Sequence, residues 1–178
     1  MELYRLLFGG YTMKNFTIRK VGIEDVDALA FIQTESWKSA FKNILSEADL
    51  DRYTNINNAK NLYKRLLNEN IGNGFILSID EKPHCIAYWD KSRESEMNDY
   101  SEIICIHSLS DNWGKGYGSK MMNYILNDIK NAGFTKVMLW VFKDNYRARK
   151  FYENHGFILT QKSKDFINTT EVMYYKNL

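Results

Sequence analysis

The feature that most constrains the fold of this chain is a glycine-rich turn between an apolar strand and an amphipathic helix. Residues 112–118 read NWGKGYG and follow a strand predicted over residues 102–109. Glycine has no Cβ, and the first amides of a helix lack internal partners, so this turn can bring several N–H groups close to an anion. The sequence therefore predicts a phosphate or pyrophosphate site at this turn. The helix after it has one apolar face, formed by Met121, Met122, Ile125, Leu126 and Ile129.

Three known glycine-rich motifs match this turn only in part. A phosphate-binding P-loop requires the spacing GxxxxGK[ST], which the chain lacks. The dinucleotide fingerprint GxGxxG needs a glycine where Ser119 stands. Residues 115–118, KGYG, match the start of an RNA-recognition strand, but the residues after Gly118 begin a helix instead. RNA binding is therefore a distant alternative.

The rest of the chain indicates a single domain. Hydrophobic residues make up 44% of the 178 residues and charged residues 26%, which is typical of a globular protein. There is no repeat, no low-complexity tract and no linker rich in glycine or proline. We predict one domain over residues 13–178, with residues 1–12 as an N-terminal extension.

Hydrophobic periodicity predicts a mixed α/β order with an antiparallel first half and a β-loop-α-β-α-β second half. The predicted helices cover residues 24–41, a short segment that begins at Ser46, residues 57–68, the segment from Ser119 to a stop at Gly133, and residues 145–154. The predicted strands cover residues 16–19, 75–79, 85–89, 102–109, 137–142, 157–160 and 172–175.

Composition and spacing argue against several classes of function. Lys and Arg number 24 and Asp and Glu 22, a net charge of +2, so neither nucleic acid nor an anionic membrane is an expected partner. No apolar run is long enough for a membrane span. Cys85 and Cys105 are expected as two reduced thiols, and no metal site is predicted from the scattered histidines. These features favour a cytoplasmic protein, a monomer or a homodimer.

A second motif follows the glycine turn. It reads Asn145-x-x-Ala148-x-x-Phe151-Tyr152-x-x-x-Gly156-Phe157. With this motif the chain resembles the GCN5-related N-acetyltransferase (GNAT) superfamily over residues 16–176, most strongly over residues 102–157. The resemblance implies the GNAT acyl-CoA acyltransferase fold, a twisted and mostly antiparallel sheet flanked by helices, with acetyl-CoA as co-substrate. The family's loop pattern is Q/R-x-x-G-x-G/A, and Trp113 stands here at its first position.

The resemblance also implies where acetyl-CoA binds. The cofactor arm is expected to pair with the strand residues Ile106, His107 and Ser108, like an added β-strand. Asn145 matches a family residue that contacts the same arm, although it also suits a helix N-cap. The pyrophosphate is expected on the backbone of Gly114, Lys115, Gly116, Tyr117, Gly118 and Ser119.

Family members transfer the acetyl group directly to an amine, with no covalent enzyme intermediate. Tyr152 matches the tyrosine that acts as general acid near the CoA sulfur. Glu102 stands where many members carry a basic glutamate; the alternative is a solvated carboxylate at the start of a strand. His107 titrates near neutral pH in water, although a lone histidine in a strand is more often structural.

The expected acceptor is a primary amine of a small molecule. The candidate walls of its pocket are Trp37, Phe41, Tyr53, Tyr88 and the loop over residues 164–169. The alternative is that they are core residues, and for Trp37 and Phe41 this alternative is favoured. Two alternatives remain open: a peptide or protein N-terminal acetyltransferase, and a non-catalytic acyl-CoA-binding module. Members that acetylate ribosomal proteins carry a glutamate where this chain has Trp140, which counts against that subtype.

Overall fold

The computed structural model describes residues 15–178, which form a seven-stranded sheet. The strand order is β1-β2-β3-β4-β5-β7-β6. The strands are β1 (Phe16–Lys20), β2 (Asn73–Ile79), β3 (Lys82–Lys91), β4 (Ser101–Ser108), β5 (Lys136–Phe142), β6 (Ile158–Phe166) and β7 (Thr169–Asn177). The extension predicted over residues 1–12 lies outside the described residues, so that boundary stays a prediction.

Within residues 15–178, five of the six strand pairings are antiparallel, and β4 and β5 run parallel. The parallel ladder is short, from Ser101 opposite Val137 to Ile103 opposite Leu139. The predicted fold class, a mixed α/β fold with a mostly antiparallel sheet, is confirmed.

Five α-helices cover the two faces of the sheet. They are α1 (Val26–Phe41), α2 (Glu47–Tyr53), α3 (Ile56–Asn68), α4 (Tyr117–Asn131) and α5 (Tyr146–Asn154). Helices α4 and α5 bury their apolar side chains on one face, whereas α1 and α3 pack on the other. Ser46 caps α2 as expected, because its hydroxyl accepts the Asp49 N–H at 3.1 Å. None of the helices described is both long and apolar enough to cross a membrane.

Strand β4 contains a β-bulge at Ile104. Cys105 pairs with Tyr88 and Ile103 pairs with Trp89, so Ile104 is the extra residue between two consecutive partners on β3. The bulge reverses the alternation of the strand, and both Ile103 and Ile106 pack on the α4 face. Residues after Ile104 therefore face opposite to what an uninterrupted strand would give.

The last two strands are much longer than the segments predicted over residues 157–160 and 172–175. Most of β6 is exposed, and its second half carries the polar sequence QKSKD. Because only one face of this antiparallel hairpin meets the core, hydrophobic periodicity is weak there. The turn of the hairpin includes Ile167 at a positive φ of 57°.

Candidate active site

The candidate site begins where β4 and β5 separate. Their ladder ends at Ile103 and Leu139, whereas β4 continues to Ser108 and β5 to Phe142. Within residues 15–178, no strand pairs with β4 on this side beyond Ile103. A free strand edge offers N–H and C=O groups to an extended ligand. This edge contains the predicted cofactor residues Ile106, His107 and Ser108.

The glycine turn lies directly after this edge. Gly114 and Gly116 have φ of 77° and 87°, a region that favours glycine, and a Cβ on either would meet no protein atom within 4 Å. Helix α4 has no side-chain cap, and the Lys120 N–H to Gly116 C=O bond, at 3.1 Å, closes its first turn. The amides of residues 117–119 therefore have no acceptor within the helix. This is the geometry of an anion site.

The side chains of the turn contact other parts of the protein rather than the anion site at the helix N-terminus. A Cβ at Gly118 would lie 3.4 Å from the Phe151 ring, an ordinary van der Waals contact, so the start of α4 lies against α5. Tyr117 is buried in the core. Lys115 folds back and donates to Asn112 Oδ1 at 2.7 Å. The turn therefore offers its backbone to a ligand, as the sequence predicts.

Trp113 joins the turn to the free strand edge. Its Nε1 donates to the backbone oxygen of Ser108 at 3.0 Å and to the Ser108 hydroxyl at 3.1 Å. On its ring face lies the guanidinium of Arg147, with Cζ 3.3 Å from the ring centroid. No motif in the sequence singles out Arg147.

Helix α5 brings two predicted residues to the separation of β4 and β5. Asn145 caps the helix, because its Oδ1 accepts the Ala148 N–H at 3.2 Å. Tyr152 is buried, and its phenol interacts electrostatically with Cys105 on the free part of β4 and with Arg147. Burial raises the pKa of Tyr152 well above its usual value, whereas the charge of Arg147 acts in the opposite direction. The phenol therefore keeps its proton at neutral pH and can act as a donor.

Neither cysteine is an activated nucleophile. Both thiols are free, and burial raises the pKa of Cys105 to about 12 and that of Cys85 further. Thiolate is the reactive form, so neither side chain reacts readily near neutral pH. This agrees with direct transfer, in which no covalent intermediate is needed.

An aromatic cluster covers the other face of the sheet beside the free edge. Trp37 and Phe41 of α1 contact each other at 5.0 Å between centroids, and Phe41 contacts Phe142 of β5 at 4.8 Å. Tyr53 of α2 and Phe166 of β6 complete the cluster, with their ring centroids 5.9 Å apart. Three of the expected wall residues, Trp37, Phe41 and Tyr53, therefore lie together.

Two further residues clarify this face. Tyr88 was expected in the same wall, but it packs against Tyr63 of α3, with ring centroids 5.7 Å apart, in a separate buried cluster. That expectation is wrong, because Tyr88 lies on the same sheet face but beneath α3 and the first half of α1, away from Trp37 and Phe41. His107 does reach the cluster, where its Nε2 accepts the Trp37 Nε1–H at 3.4 Å. Burial lowers the pKa of His107 to about 4, so the ring is neutral near pH 7.

Glu102 is buried and fully engaged. Its carboxylate accepts Arg93 Nη2 at 2.5 Å, Arg93 Nε at 3.0 Å and the Arg93 backbone N–H at 3.1 Å. The Glu102 side chain is only 2% exposed, so the alternative of a solvated carboxylate is wrong. The ion pair fastens the loop over residues 92–100 to the start of β4. Its assignment as a general base stays a prediction.

Glu171 on β7 is a further candidate site residue that no sequence motif singles out. Glu171 lies opposite Phe142 in the ladder, and its side chain is 19% exposed. The one polar contact described for its carboxylate is Lys164 Nζ at 3.9 Å, beyond hydrogen-bond distance. Burial raises the pKa of Glu171, partly offset by Lys164 and Arg93. The available signal was its alternation with Met173 and Tyr175, which places a carboxylate on an otherwise apolar strand face.

No group of three or more His, Cys, Asp or Glu side chains within residues 15–178 is arranged to hold a metal ion.

Comparisons with known proteins agree with this geometry. The structure superposes with a TM-score of 0.76 on the PaiA N-acetyltransferase of Thermoplasma acidophilum, crystallised with coenzyme A, over 92% of this chain and 99% of that one at 19% identity. At this identity the match shows the fold alone.

Two curated relatives are similar in sequence. An uncharacterized N-acetyltransferase of Methanocaldococcus jannaschii is 26% identical over 161 residues, 88% of this chain. The chain spans 64% of that relative's length. An uncharacterized N-acetyltransferase of Archaeoglobus fulgidus is 27% identical over 137 residues, which cover 76% of this chain and 88% of the relative.

The family model for the acetyltransferase (GNAT) family matches residues 34–157, which is more than half of the chain. That interval includes the free edge of β4, the uncapped glycine turn, and both Asn145 and Tyr152 on α5. The resemblance drawn from the glycine turn and the Asn145–Phe157 motif is confirmed, and the chain belongs to the acetyltransferase (GNAT) family.

Proposed function

We propose that this chain transfers the acetyl group of acetyl-CoA directly to a primary amine of a small molecule with an apolar body. The observation that carries the proposal is the free edge of β4, which ends at an uncapped helix N-terminus preceded by two glycines at positive φ. An extended, amide-containing arm followed by a pyrophosphate matches both parts of this site.

On this proposal, acetyl-CoA binds mainly through the protein backbone. The amides of residues 117–119 and the turn from Gly114 to Gly116 hold the pyrophosphate. The cofactor arm adds to the β4 edge along residues 106–108, and Asn145 contacts the arm from α5. A backbone N–H on the edge donates to the thioester oxygen and stabilises the negative charge that develops there.

The chemistry needs a proton acceptor for the amine and a donor for sulfur. The ammonium group loses one proton to a carboxylate, and its nitrogen then forms a bond to the thioester carbon. When the C–S bond breaks, Tyr152 gives its proton to the thiolate and regains one from the amide nitrogen, which leaves an acetylated amine and CoA.

Two carboxylates are candidates for the proton acceptor. Glu102 is the expected one, but Arg93 occupies both of its oxygens. Glu171 has no hydrogen bond described, and it lies opposite Phe142, a member of the aromatic cluster. Burial raises the pKa of its carboxyl group. A base needs a free lone pair and a pKa closer to neutrality, so we favour Glu171 as acceptor and Glu102 as a residue that positions the loop.

The aromatic cluster favours an acceptor that joins a cationic amine to an apolar body. Rings supply apolar contact and favourable cation–π interactions, and Glu171 supplies a negative charge beside them.

The test measures CoA thiol release from acetyl-CoA with tyramine, phenethylamine, spermidine, amino acids, an aminoglycoside and short peptides. We expect the highest kcat/KM with the two arylalkylamines. Preference for peptide N-termini would indicate the N-terminal acetyltransferase instead. CoA binding without turnover on any amine would indicate a non-catalytic module.

A further inference from the structure

The Arg147 guanidinium lies on the Trp113 ring, and no acidic side chain within residues 15–178 neutralises its charge. The Arg147 guanidinium lies flat enough on this ring to place Cζ 3.3 Å from the centroid. Among the side chains of residues 15–178, no carboxylate forms an ion pair or hydrogen bond with Arg147. Arg149 on the same helix is satisfied by the Tyr174 hydroxyl at 3.1 Å and the Lys143 carbonyl at 2.9 Å. Arg149 is therefore held by hydrogen bonds to the protein, whereas the contact described for Arg147 is with the Trp113 ring.

The unpaired cation is held at the cofactor site by a chain of contacts. Trp113 immediately precedes the first glycine of the turn, and its Nε1 donates to the backbone oxygen and the hydroxyl of Ser108, the last residue of the β4 edge. Arg147 in turn rests on Trp113 and interacts electrostatically with Tyr152. The side chain of Trp113 therefore connects the guanidinium both to the turn and to the free edge. Partial burial lowers the pKa of Arg147, which still leaves it charged at neutral pH.

The position of Trp113 gives this arrangement a specific meaning. The family pattern begins with Gln or Arg at this point, and an indole has no charge to offer an anion. Here the indole donates to Ser108 and presents its face to an arginine from another element. An arginine stacked in this way loses less rotamer freedom on binding, and its planar fork can form two parallel N–H bonds to a phosphate.

We propose that Arg147, positioned by Trp113, binds a phosphate of the CoA moiety and adds the charge of a stacked guanidinium to the backbone amides of the glycine turn. The inference rests on the proposed cofactor site. The phosphate is either the pyrophosphate or the 3′-phosphate of CoA, and both present the same oxygens to the guanidinium.

The test is calorimetric titration of the wild-type protein, Arg147→Met, Arg147→Lys and Lys150→Met with CoA, dephospho-CoA and pantetheine. Lys150 is an exposed cation on the same helix with no partner described, so its variant is the matched control for loss of charge. One charge-assisted hydrogen bond contributes about 1.5–3 kcal/mol, so we expect Arg147→Met to weaken CoA binding about 10- to 100-fold. Lys150→Met should change it less than about twofold.

Two further comparisons define the contact. Arg147→Lys should lose a large part of the affinity, because an ammonium cannot stack and bind bidentately. Pantetheine carries no phosphate, so its affinity should be the same for wild type and Arg147→Met. If Arg147→Met weakens CoA but not dephospho-CoA, the contact is to the 3′-phosphate; if it weakens both, the contact is to the pyrophosphate.

Several results would overturn the inference. Equal losses in Arg147→Met and Lys150→Met would reduce it to a general field effect. Full CoA affinity in Arg147→Lys would remove the need for the stacked fork, and an equal loss for pantetheine would show damage to the site as a whole. Wild-type protein that does not bind CoA would instead refute the proposed function on which the inference rests.

Discussion

Replacing either partner of the Arg93–Glu102 ion pair should destabilise the protein, but by unequal amounts. The pair is asymmetric, since the Glu102 side chain is 2% exposed and the Arg93 side chain 63% exposed. Arg93→Met leaves a buried carboxylate without its cation, a loss that typically costs about 3–5 kcal/mol. The Arg93 backbone N–H, 3.1 Å from Oε2, remains as a partner. We therefore expect the lower end, about 3 kcal/mol.

Glu102→Gln leaves an exposed guanidinium, which water can solvate, and a neutral buried amide in place of a buried charge. The amide keeps one acceptor oxygen, so the loss is that of charge-assisted hydrogen bonding, about 1–2 kcal/mol. Urea denaturation of both variants and of the double variant measures the two losses and their coupling. Lys162→Met is the control, because it breaks an exposed pair with Glu96 at 3.4 Å and should cost less than about 0.5 kcal/mol.

A loss in Glu102→Gln equal to or larger than that in Arg93→Met would refute the argument from burial. Activity separates the two roles of Glu102. If it is the base, Glu102→Gln lowers kcat about 10²- to 10⁴-fold, whereas Arg93→Met keeps the carboxylate and most of kcat. If it positions the loop, both variants raise KM and leave kcat nearly unchanged.

Three other predictions test the site. Tyr152→Phe should lower kcat about 10²- to 10⁴-fold and leave the acetyl-CoA Kd unchanged in direct titration, because the hydroxyl acts mainly in the transition state. Gly116→Val should weaken CoA binding in calorimetry more than it lowers Tm; normal binding by the folded variant would exclude the turn as the pyrophosphate site. Glu171→Gln should lower kcat/KM and remove the acidic limb of its pH profile. Because the pKa of Glu171 is raised in the folded state, the contribution of this residue to stability is lost as pH rises through that pKa. In urea denaturation, Glu171→Gln should therefore be more stable than wild type at pH 8, and the two free energies of unfolding should be closer to each other at pH 5.

The parts of the site that are local in sequence could be predicted. The glycine turn, the helix after it and the Asn145 cap each depend on residues within a few positions of one another, and the structure has all three. Trp37 and Phe41 were candidate pocket walls because they lie on the first predicted helix, which helps to build the acceptor pocket in the family that the chain resembles, although core packing was the favoured interpretation of both.

The parts that depend on contacts between distant elements could not be predicted. Arg147 looks like an ordinary exposed helix residue until α5 is placed beside Trp113. The sequence around Glu102 is compatible with a solvated carboxylate at the start of a strand. Its partner, Arg93, lies in a polar loop whose position relative to β4 cannot be predicted from hydrophobic periodicity. Tyr88 was assigned to the wrong wall because its distance from Trp37 and Phe41 along the same sheet face depends on how α1 and α3 pack over it.

The bulge at Ile104 has a consequence for comparing sequences in this family. Glu102 has an even number and His107 an odd one, so in a regular strand they would point to opposite sides of the sheet. The extra residue places both on the side of α1 and the aromatic cluster. Suppose that a relative's strand has no bulge and the alignment places no gap at Ile104. Residues on the acceptor side of one strand are then matched with residues on the α4 side of the other. Substrate-facing positions can be compared between relatives only after the insertion state of this one residue is known.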